Sequence, residues 1–116
     1  MKNNNRKYTA KDIILLGTLN LFDCGRFDAF IDVIDNILRN YEFGFITANE
    51  AFSKIMDAIA RESDAVFKNL NTDILMYAQS ILNAIAFKRI QNPKMDTDEL
   101  KASVRAEIMT NISYSE

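Results

Sequence analysis

The sequence predicts an all-α protein, a single compact bundle of five helices, or six if the third helix breaks. Gly occurs three times and Pro once in 116 residues, too little punctuation for the many turns of an all-β chain. Apolar residues recur at three- and four-residue intervals along most of the chain, the period of a helix with one buried face. Start signals at Thr9–Asp12, Thr47–Glu50 and Asp96–Glu99 fall just ahead of such stretches. Apolar residues make up 48% and charged residues 26%, a globular balance that supports one core. A chain of this length buries roughly two-thirds of its unfolded surface without needing staples.

Residues 1–8, MKNNNRKY, carry no apolar period and read as a flexible basic tail. Thr9 and Asp12 open helix 1, expected over about Ala10 to Phe22, with Ile13, Ile14, Leu16, Leu21 and Phe22 as its apolar surface and Gly25 as its stop. Helix 2 has the cleanest stripe: Phe27, Phe30, Ile31, Ile34, Leu38 and Tyr41 share one face, opposite Asp28, Asp32 and Asp35. Gly44 ends it. Thr47 and Glu50 form a capping box for helix 3, whose stripe of Phe52, Ile55, Met56 and Ile59 runs on through Val66 to about Leu70. A break near Ser63–Asp64 is the alternative. Thr72 and Asp73 open helix 4, apolar on most sides from Ile74 to Phe87 and therefore expected at the bundle centre or partly in an interface. Asn92–Pro93 marks a turn, and Thr97 is the expected N-cap of helix 5, with Leu100, Val104, Ile108 and Ile112 as its seam. One domain spans 9–113, and residues 114–116 fray.

Composition excludes much chemistry. There is no His, so imidazole acid–base catalysis, Ser-His and Cys-His pairs and imidazole zinc sites are ruled out. One Cys excludes thiolate metal clusters and intrachain disulfides. Cys24, beside Asp23, reads as structural. Ser53, Ser63 and Ser80 lack a nucleophile elbow, and no glycine-rich loop is present to cradle a phosphate. No enzyme activity and no cofactor are expected. The longest uncharged run, Ile74 to Phe87, is shorter than the roughly 20 residues that span a bilayer. Residues 1–16 lack the apolar core of a signal peptide. A soluble, cytoplasmic, membrane-free protein is the expectation.

Three features remain as candidate sites. In RNYEFGFITANE, Arg39 to Glu50, the residues Gly44, Ile46 and Glu50 occupy positions 6, 8 and 12 of a loop that resembles an EF-hand turn. Arg39, Tyr41 and Phe43 stand where that family has its first three ligands, so the resemblance implies the turn without its calcium. Phe43 and Phe45, which flank Gly44, either fold back as a plug on the bundle or project towards a partner. The Asp28, Asp32 and Asp35 face reads as solvated, with a second partner surface or a divalent-cation site as the alternatives.

Charge is uneven: residues 1–11 carry a net +4, residues 12–64 a net −6, and residues 65–116 are neutral. Lys2, Arg6 and Lys7 in the tail, with Lys88, Arg89, Lys94, Lys101 and Arg105 if these share a face, are the candidate contacts for a phosphate backbone. The expected function is non-catalytic protein–protein binding by a small helical adaptor, inhibitor or accessory subunit, as a homo-oligomer or within a larger assembly. A nucleic-acid-binding regulator is the alternative. The 12 Asn and 14 Ile residues suggest an AT-rich genome such as that of a phage or mobile element.

Overall fold

A computed structural model describes residues 9–111. The basic tail, Ile112 and residues 114–116 lie outside the described residues. Five helices follow one another: α1 (Ala10–Asp23), α2 (Arg26–Glu42), α3 (Ala48–Val66), α4 (Thr72–Gln91) and α5 (Thr97–Asn111), with no strand among the described residues. The all-α bundle is thus observed. The centre expected of helix 4 alone is shared, because α2 and α4 each pack against all four other helices.

Local chemistry sets the helix ends. Thr9 Oγ1 accepts from Asp12 N at 3.1 Å while Thr9 N donates to Asp12 Oδ2 at 3.2 Å, a reciprocal box that satisfies two otherwise orphaned amides. Thr47 and Glu50 repeat it at 3.1 and 2.8 Å. α4 opens at Thr72 as expected, capped by Asn71, whose Oδ1 accepts from Ile74 N at 3.0 Å. At α5 the Asp96 carboxylate accepts from Asp98 N at 3.2 Å and its carbonyl accepts the first helical bond, from Leu100. Asp96 therefore takes the capping place expected of Thr97. Cys24 caps the end of α1, and Gly25 (φ 79°) turns the chain into α2 with nothing further between them.

The core follows the period of α2 through Phe27, Phe30, Ile31 and Ile34 and then shifts to Ile37, leaving Leu38 half-buried and Tyr41 exposed beyond the core's end. Phe22 and Phe27 meet edge-to-face across the α1–α2 corner, centroids 4.6 Å apart. In α1, Leu15 is buried and Ile13 faces out. In α3, Ala51, Ile55, Ala58 and Ile59 take the core positions, and Phe52 and Met56 stand outside it. The alanines draw α3 close to its neighbours, which rotates its stripe away from those two larger side chains.

α3 does not break at Ser63; it runs unbroken to Val66, four residues short of the expected end. Phe67 then folds inward as the C-cap and lies against Gly17 of α1. Asn69 (φ 75°) carries the turn towards α4. Ser63 itself is fully buried, and its Oγ has no hydrogen-bond partner. An unsatisfied buried hydroxyl costs about 1–3 kcal/mol. Ser63→Ala is therefore expected to raise the unfolding free energy by about 1 kcal/mol, as a higher urea midpoint at unchanged slope. A fall would show that the hydroxyl makes a stabilising contact.

Candidate functional site

The connection from α2 to α3 presents two strongly exposed phenylalanines side by side, among them Phe45, the most exposed large hydrophobic residue described. α2 ends in a Schellman motif: Phe45 N donates to Asn40 O at 2.9 Å and Gly44 N to Tyr41 O at 3.0 Å. Gly44 sits at φ 79°, the left-handed conformation that glycine adopts without a Cβ penalty. Two residues after Phe45, the Thr47–Glu50 box begins α3, and donation from the Thr47 backbone to Glu50 holds that carboxyl below its ordinary value. The letters that resemble an EF-hand loop are therefore a glycine stop followed by a capped start.

On this turn Phe43 is 66% and Phe45 74% exposed, so the two rings project and do not plug the core. They lean on each other with centroids 5.9 Å apart and planes at 57°. Ile46, on the other side of the turn, packs on the core instead. Tyr41, also exposed, stands one residue before Glu42 at the base of the same tip.

The acidic face of α2 does not stand free. Asp35 forms a two-pronged pair with Arg89 of α4, at 2.8 Å to Nε and 2.9 Å to Nη2, and Arg89 Nη1 also donates to the Met95 carbonyl. Arg89 is buried, and its hydrogen bonds to Asp35 push the guanidinium above its ordinary value against the cost of desolvation. Asp28 pairs with Lys101 of α5 at 3.1 Å. Asp32 remains exposed.

The same contacts dissolve the expected basic patch. Arg89 points inward to α2, while Lys88 faces α5, with Nζ 3.2 Å from Ser103 Oγ and 3.6 Å from Glu107. Lys101 faces Asp28, and Arg105 reaches Asp23 at 3.4 Å while lying 5.1 Å above the Phe22 ring. Lys94 is exposed on the α4–α5 turn. These five cations do not share a face, and four of them have an acidic partner. Lys2, Arg6 and Lys7 lie outside the described residues.

Two further surfaces were not singled out from sequence. A groove of about 360 Å³ lies between α1, α4 and α5, floored by Leu15, Ile81, Ile85 and Ile108 and rimmed by Lys11 and Lys88. Across α4, a seam with α3 runs past Met56, Ala60, Met76, Ser80 and Asn83. The signal for both was the apolar character of α4 on most sides, which exceeds what one core face uses. Cys24 is exposed, its thiol 3.7 Å from the Leu21 carbonyl.

Among the described residues, no group of three acidic or Cys side chains is placed to hold a metal ion, and no helix is long and apolar enough to cross a membrane. Comparison with known proteins found no matching family model, no matching curated protein and no matching solved structure.

Proposed function

We propose that this protein works without catalysis, by docking the Phe43–Gly44–Phe45 tip into an apolar cleft of another protein, as an adaptor, inhibitor or accessory subunit. The observation that supports this most is the exposure of two adjacent phenylalanines on a turn whose backbone is tied at both ends. Exposed aromatics on a free loop would lose conformational freedom on binding; a Schellman motif and a capping box have already restricted this one. Aromatic anchors of this kind concentrate binding energy at the centre of an interface. The cytoplasm suits the reading, since a lone exposed thiol stays reduced there. The nucleic-acid alternative draws no support from α4 and α5, whose cations are divided among several faces.

The test compares the native chain with Phe43→Ser/Phe45→Ser as baits in lysate of the cell type that carries the gene, followed by affinity measurement on any captured protein. Both side chains lie outside the core, so the variant should melt within about 0.5 kcal/mol of the parent. Its affinity should fall by more than about 2 kcal/mol, roughly thirtyfold. Equal capture and equal affinity would refute the tip as the docking element.

A further inference from the structure

We draw no further inference here: the strongest candidate, the apolar groove between α1, α4 and α5, has a rim on which Lys88 already pairs with Glu107, and nothing in the structure shows what covers it.

Discussion

Asp35→Ala is expected to lower the unfolding free energy by about 3 kcal/mol, read as a lower urea midpoint. The cost comes from what the substitution leaves behind: Arg89, 6% exposed, would lose its hydrogen-bonded carboxylate and keep only the weaker attraction of Asp96 and Asp32. Removing one partner of a buried pair costs about 3–5 kcal/mol. The Asp35 side chain retains 24% exposure, so water reaches the vacated place and the lower end of that range applies. Arg89→Met should cost less, because it removes the charge and retains the apolar stem along α4. Joining it to Asp35→Leu should restore much of the loss, since well-packed apolar side chains commonly equal a buried ion pair in stability. If Asp35→Ala cost less than about 1 kcal/mol, Arg89 would have found solvent and the fork would be ornamental.

Phe67→Ala is expected to cost about 4 kcal/mol, the usual penalty for emptying an aromatic place in a core. The ring is 4% exposed, and its Cε1 lies 2.5 Å from where a Cβ on Gly17 would stand. That clash yields a sharper test. Gly inside a helix is about 1 kcal/mol worse than Ala, so Gly17→Ala would stabilise α1 if the space were open. With the ring in place it should destabilise by about 1–3 kcal/mol, because a buried ring has little room to give way. In the Phe67→Ala background, Gly17→Ala should change sign and stabilise. Absence of that reversal would mean that the ring yields freely and that the contact does not shape α1.

These residues also mark where sequence reading stops. Capping boxes at Thr9 and Thr47, the glycine stop at Gly44 and the first turns of the α2 stripe were legible because each depends on residues within one or two turns. Arg89 read as a terminal cation on a basic patch because its partner, Asp35, lies on another helix. Phe52 and Met56 read as core because a helical period leaves its centre uncertain by tens of degrees. The alanines at 51 and 58 resolve that only once neighbouring helices pack against them. Phe67 and Gly17 were both silent in the sequence, because the ring that occupies the place of a Cβ at Gly17 comes from another helix end. At the site, the pair Phe43 and Phe45 was visible in sequence, but its outward direction was set by Ile46 taking the inward side of the turn.

The Arg89–Asp35 fork has a kinetic consequence. It joins positions 54 residues apart, whereas the most extensive packing in this bundle, α2 on α3 and α3 on α4, is between consecutive helices linked by short turns. Folds rich in near-neighbour contacts form quickly, in microseconds to milliseconds. A contact at such separation closes after the hairpins have assembled, so it adds little to the rate of folding. Its loss should leave refolding nearly unchanged and appear as faster unfolding. The lifetime of the folded chain, more than the speed of reaching it, is what Arg89 sets.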